Sequence, residues 1–112
     1  AIACLATPGE SAPIPPLTPS FVMRVRRGVP VIRYYRPGDA AMEPAIAEAA
    51  RAGARAVLLA NHGPVVSGGT LDDAVYAAEE LEEAARLALL LHGRGARTLA
   101  PAEVDDLLET FG

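Results

Sequence analysis

The chain has 112 residues and a mass of 11.6 kDa, room for one domain and not two. Apolar residues make up 51 % and mean hydropathy is +0.22, which excludes intrinsic disorder and predicts greasy surface to be covered by another subunit or by further chain. The net charge of −4 and a pI near 5.1 argue against general nucleic-acid binding.

All ten basic residues are arginine; residues 1–60 hold seven of them against four acids, and residues 61–112 hold three against ten. Cys4 stands alone, so no internal disulfide forms and the chain fits a reducing cytoplasm. No apolar run reaches the ~20 residues of a membrane span, and the start lacks the basic region of a signal peptide. The opening Ala-Ile-Ala-Cys-Leu-Ala reads like the end of a helix that begins elsewhere. The expectation is that residues 1–112 form a single partial domain.

Residues 7–20 carry half of the ten prolines, interleaved with Gly, Ser and Thr. Proline fixes φ and removes the backbone donor, so an extended connector is expected there. Phe21-Val22-Met23-Arg24-Val25 is compatible with strand or helix. Residues 29–35, VPVIRYY, are β-branched and aromatic and predict a strand. Arg36-Pro37-Gly38-Asp39 predicts a turn, because Pro presets φ and Gly accepts positive φ. Residues 42–52 predict a helix stopped by Gly53. Residues 56–60, AVLLA, predict a strand buried on both faces, cut off by Asn61-His62-Gly63-Pro64. Val65-Val66 and Ser67-Gly68-Gly69 predict a second small strand and a turn.

The clearest signal follows. Thr70 occupies an N-cap position with Asp73 three residues on, an acidic variant of the capping box. Ala74, Ala78, Leu81, Ala85 and Ala88 recur at helical spacing, with Val75 and Leu89 widening the stripe. Glu79, Glu80, Glu82, Glu83 and Arg86 hold the other side, and Glu82 can pair with Arg86 at i,i+4. The helix is expected over residues 71–92, with Gly93 as its stop. Pro101 suits a first helical position, and residues 103–111 predict a last short helix. Helices alternating with apolar strands argue an α/β fold, a portion of an αβα layered domain.

His62 is the candidate site residue. It follows the C-terminal end of a buried strand, where open α/β sheets place their ligands. Gly63 lets a ligand approach the backbone, and Pro64 stiffens the turn. A neutral imidazole there can bind zinc or another divalent ion; it can equally be a histidine hydrogen-bonded within its turn. His92 suits a helix C-terminus, and Cys4 reads as a small hydrophobe. Arg24, Arg26, Arg27, Arg33 and Arg36 form a cluster able to meet phosphate or carboxylate, or simply a solvated face. Tyr34 and Tyr35 are expected on opposite faces of their strand, so that at most one meets a site. Tyr76 can pack or reach a neighbouring subunit. Ser67-Gly68-Gly69-Thr70 opens a helix and has the geometry to hold an anion, without a P-loop lysine or a dinucleotide fingerprint.

The run AVLLANHGPVVSG at residues 56–68, with LDDAVY at 71–76 and EELE at 79–82, resembles the C-terminal half of the class II aldolase/adducin family. PLTP at 16–19 and VIRYYRPGD at 31–39 resemble the branch that includes 3-oxo-tetronate 4-phosphate decarboxylases. The resemblance implies an αβα sandwich, usually in a fourfold homotetramer, and a divalent metal held by three histidines. Two of these come from an H-x-H motif and the third from an Asn-His-Gly turn, which maps onto His62. It also implies that the metal, zinc in the aldolases, polarises a carbonyl as a Lewis acid and stabilises the enediolate left when a C–C bond breaks. Substrates in the family are small phosphorylated hydroxy-ketones, aldehydes or keto-acids.

This sequence contains no H-x-H, which in the family would lie just upstream of Ala1. The family's N-terminal half, with its phosphate-binding loops and its acid/base residue, is also without a counterpart here. The expectation is therefore part of a divalent-metal-dependent lyase, of decarboxylase or aldolase type, inactive as this portion alone. No catalytic residue is assigned, and His62 is the one expected metal ligand. The alternative is a non-catalytic, adducin-like assembly module; His62 favours the enzyme, since a scaffold has no need of histidine at that turn.

Overall fold

The computed structural model describes residues 14–112. Cys4 and the start of the proline-rich stretch lie outside the described residues. The first helix, α1, spans Pro19–Val25, which resolves the open reading of residues 21–25 and ends the expected connector early. Its start is chemically specified. The Thr18 hydroxyl accepts from the Phe21 N–H at 3.2 Å, and Pro19 fills a position in the first turn where no backbone donor is needed. Phe21, Val22 and Val25 are buried.

Strand β1 is only Val31–Ile32, shorter than the strand expected over residues 29–35. It runs parallel to β2, Ala56–Leu59, pairing Val31 with Leu58 and Ile32 with Leu59. Helix α2, Met42–Arg51, makes the crossover between them. The Arg36-Pro37-Gly38-Asp39 turn forms as expected, with Asp39 N–H on the Arg36 carbonyl at 3.0 Å and Gly38 at φ 83°. The last bond of the parallel ladder is Ala60 N–H to the Ile32 carbonyl at 2.9 Å. At Asn61 the partner chain turns away, so Arg33, Tyr34 and Tyr35 have no strand to join. β-propensity gave the wrong length because it carries no knowledge of where the partner stops.

β2 pairs on its other side with β3, Gly63–Val66, antiparallel, with Ala56 opposite Val66 and Leu59 opposite Gly63. Leu58 directs its N–H to the Pro30 carbonyl at 2.9 Å, on the β1 side. Its antiparallel partner Pro64 therefore sits where β2 asks for no donor, which is how a proline fits inside this strand. All four residues of β2 are buried, as the apolar run predicts. Ala56, Leu58 and Ala60 join Ile14, Phe21, Val25, Val29, Val31, Leu81, Ala84 and Ala85 in the main core, while Val57 and Leu59 face the opposite side of the pleat.

Helix α3, Leu71–Leu91, packs on α1 and β3. Thr70 caps it as expected, its hydroxyl accepting from Asp73 N–H at 3.1 Å. The buried row is Ala77, Leu81, Ala84 and Ala85, rotated from the expected stripe, and Val75 and Leu89 are exposed at 45 % and 47 %. The helix carries apolar residues on more than one arc, so spacing alone did not choose the face. Small alanines won, because they let α1 approach closely. Arg86 forks onto Glu83, one turn earlier, and this pairing lowers the Glu83 carboxyl below its ordinary range. Helix α4, Pro101–Phe111, packs on α1, and Arg27 ties it there through Asp105 at 2.6 Å. No helix among the described residues is long and apolar enough to cross a membrane.

In the intact protein, Leu81→Ala should cost about 2–5 kcal/mol in denaturant unfolding, and Thr70→Ala about 1 kcal/mol. Glu103 accepts from the Ala100 N–H at 2.9 Å and from Arg97 at 3.0 Å, which holds its carboxyl below the ordinary 4.5, the backbone bond first and Arg97 second. A depressed carboxylate stabilises the fold above its ordinary value and loses that contribution as pH falls through the lowered one. An NMR titration of the Glu103 side chain should thus show a midpoint below 4.5, rising toward it in Arg97→Gln.

Candidate metal-binding turn and cleft

The site is built from the way β2 ends. Ala60, Asn61 and His62 connect β2 to β3, and the His62 N–H closes on the Leu59 carbonyl at 3.0 Å. Asn61 takes a left-handed φ of 61°, which asparagine tolerates better than most residues. The short turn leaves the His62 side chain exposed just beyond the C-terminal ends of the two parallel strands. That is the ligand-binding end of an open α/β sheet.

A cleft of about 460 Å³ opens at this end, lined by Arg33, Tyr34, Tyr35, Pro37, Gly38, Met42, Leu59, Ala60, Asn61 and His62. Both tyrosines line it, contrary to the expectation that only one could. Strict alternation applies to a strand, and the strand has already ended at Ile32. The YYRPGD segment instead folds over the strand ends and brings its own turn, with Met42 of α2, into the wall. Pro37, Gly38 and Met42 were not singled out from sequence; the turn chemistry of Arg36-Pro37-Gly38-Asp39 was the available signal.

A larger cavity of about 550 Å³ lies at the other end, between Arg26, Arg27, Gly28 and the C-terminal part of α2. It has no His, Tyr or carboxylate in its lining and sits beside Pro30, at the N-terminal end of β1. The cleft at the strand C-termini, with imidazole, phenol and guanidinium together, is the chemically equipped one.

The arginine cluster does not converge. Arg24 lies 3.6 Å from Asp73 and over the Tyr76 ring at 5.3 Å, Arg27 meets Asp105, and Arg33 alone of the five lines the His62 cleft. The Ser67-Gly68-Gly69 loop bounds a small polar cavity of about 170 Å³ with Arg24, Arg55 and Asp73. There Asp73 itself supplies the negative charge beside Arg24. Gly68 is required by packing: a Cβ would stand 2.5 Å from the Ala74 nitrogen. His92 caps the end of α3, its N–H on the Leu89 carbonyl at 3.3 Å, and is exposed away from the cleft lining.

Among the described residues no group of three His, Cys, Asp or Glu side chains could hold a metal ion. His62 has the ring nitrogens and the exposure of a ligand, so these residues fit one corner of a metal site and not a whole one.

The architecture and the Asn-His-Gly turn define a class. Residues 1–89 match the family described as "Class II Aldolase and Adducin N-terminal domain", and the chain belongs to that family. It is 46 % identical over 107 residues to the 3-oxo-tetronate 4-phosphate decarboxylase of Escherichia coli strain K12, covering 96 % of this chain and 50 % of that protein. It is 45 % identical, over the same length and shares, to the Haemophilus influenzae enzyme of that name. The solved structure of YgbL from Escherichia coli superposes with a TM-score of 0.84 at 45 % identity, over 95 % of this chain and 50 % of that one. L-fuculose 1-phosphate aldolase does so with a TM-score of 0.81 at 30 % identity, over 98 % and 49 %. The fold is thus the class II aldolase fold, as expected, and the chain spans about half the length of the curated relatives it matches.

The packing role of Gly68 has a direct check. Gly68→Ala should lower stability by about 1–3 kcal/mol in denaturant unfolding, as overpacking does. Unchanged stability would show that the backbone of α3 yields to the added methyl.

Proposed function

We propose that this chain supplies the Asn-His-Gly turn and one wall of the active-site cleft in a divalent-metal-dependent carbon–carbon lyase. Decarboxylation of a small phosphorylated sugar acid is the favoured reaction. The observation that carries this reading is His62, held by a left-handed Asn61 turn at the C-terminal ends of β1 and β2 and facing a cleft lined by Arg33, Tyr34 and Tyr35. The substrate class is taken from the relatives named 3-oxo-tetronate 4-phosphate decarboxylase.

In this reading His62 is one metal ligand through its imidazole, and the remaining ligands come from outside the described residues. A divalent ion there, zinc in the first instance, would supply Lewis-acid polarisation of a substrate carbonyl and stabilise negative charge on oxygen as the C–C bond breaks. The chain's own residues fix the geometry. The Leu59–His62 hydrogen bond sets the turn, and Tyr34, Tyr35 and Met42 shape the cleft wall. The 112 residues act as one part of a larger αβα domain. Apolar side chains left open on α3 and α4, Leu71 at 80 % and Phe111 at 62 % exposure, support burial against further chain or other subunits, a homotetramer by family resemblance. A small polar metabolite as substrate and the lone cysteine suit a cytoplasmic enzyme.

His62→Ala tests the assignment in the intact protein. Metal content measured after dialysis should fall from near one ion per chain to a small fraction, with lyase activity lost alongside. Full metal retention by His62→Ala would refute the ligand role.

A further inference from the structure

Among the described residues that line the cleft beside His62, Arg33 is the one arginine and there is no carboxylate. Its arrangement differs from that of the other paired arginines. Arg24, Arg27, Arg86 and Arg97 each lie against an acid. Among the described residues Arg33 has no carboxylate partner; its guanidinium lies over the Tyr35 ring, 3.8 Å from the centroid, and one of its N–H groups donates to the Tyr34 carbonyl at 2.8 Å. A guanidinium carries five N–H donors in a rigid fork. Stacking uses its face and the carbonyl uses one donor, so the rest of the fork has no acceptor among the described residues.

Such a group is prepared for an oxyanion in two ways. The stack and the carbonyl bond hold an otherwise flexible side chain in place, so less conformational freedom is lost when a ligand arrives. No acid stands among the described lining residues to compete for the free face of the fork, and Leu59, Ala60 and Met42 give the cleft an apolar wall beside it. A planar fork matches the paired oxygens of a carboxylate or phosphate better than a point charge does.

We propose that Arg33, clamped by Tyr35 and the Tyr34 carbonyl, is the residue with which the His62 cleft recognises an oxyanion group of its substrate. It is a specificity residue, acting by binding and orientation, with no covalent step of its own. The inference rests on the cleft being the substrate site, as proposed above, and not on the identity of the metal. Carboxylate and phosphate share the required chemistry, and the sugar acids considered above would carry both.

The test is titration of the intact, metal-loaded protein with inorganic phosphate and, separately, with malonate, following side-chain NMR signals of Tyr34, Tyr35 and His62. Arg33→Gln should weaken at least one anion about tenfold or more, the scale of a lost charge-assisted hydrogen bond. Arg33→Lys, which keeps the charge and loses the fork, should restore only part of the affinity. Loss for malonate alone assigns the carboxylate end, loss for phosphate alone assigns the phosphate end, and loss for both assigns the shared chemistry. Arg33 is exposed and Tyr35 half-buried outside the main core, so the variants should fold, with circular dichroism as the check. Tyr35→Leu, which removes the platform and keeps the guanidinium, gives a second reading and should also weaken the anion. Unchanged affinity in both Arg33→Gln and Tyr35→Leu, or no anion binding by the parent protein, would overturn the proposal. Metal content, read in the same samples, should stay constant throughout; its loss belongs to the His62 assignment and is thereby separable.

Discussion

The arrangement depends on one constraint, that β2 must satisfy its backbone on both sides while burying both faces. A strand of Ala56-Val57-Leu58-Leu59 without polar side chains has no other source of hydrogen bonds in the interior. On one side it takes the Pro30 and Ile32 carbonyls, which fixes β1 as a parallel neighbour and makes the α2 crossover necessary. On the other side it takes β3, whose antiparallel run requires a tight reversal. That reversal is the Asn61 turn, so the exposed position of His62 follows from the pairing needs of a strand several residues away.

The same geometry sets the electrostatics of the cleft. Because β2 turns away at Asn61, the chain leaving β1 is released from the sheet and can fold across the strand ends. This brings Tyr34 and Tyr35 to one cleft and leaves Arg33 stacked on Tyr35, with no acid among the described lining residues. Most acids lie in the second half of the chain, on the exposed arcs of α3 and α4, where they pair with arginines or meet solvent. The described lining of the cleft thus carries a guanidinium and no carboxylate in a chain of net charge −4.

Sequence reasoning reached the features that depend on local chemistry. Thr70 as a cap, Gly53 as a stop, the buried AVLLA strand and the position of His62 after it all follow from residue types at short range. It failed where a partner decides the outcome. Residues 29–35 look like one long strand, but β2 offers only two residues of parallel pairing before it turns. The α3 stripe was misplaced because Leu71, Val75 and Leu89 are as apolar as the residues that meet α1. Helix α1 was ambiguous because its start signal, Thr18-Pro19, is embedded among prolines that also suit an extended connector. The arginines between 24 and 36 are close in sequence and yet divide among three surroundings, since a helix end and a strand end separate them. Family resemblance carried what residue chemistry could not, namely the class of reaction to consider for the turn.

Pro64 carries a consequence beyond fitting into β3. Its nitrogen is on the side away from β2, along the outer margin of the three-stranded sheet of the described residues. A backbone approaching that margin to add itself as a further strand would find a donor missing midway along four residues. A single residue thus does two things by covalent means that no change of pH or salt can relax: its ring stiffens the His62 turn, and its nitrogen leaves the far side of β3 one donor short.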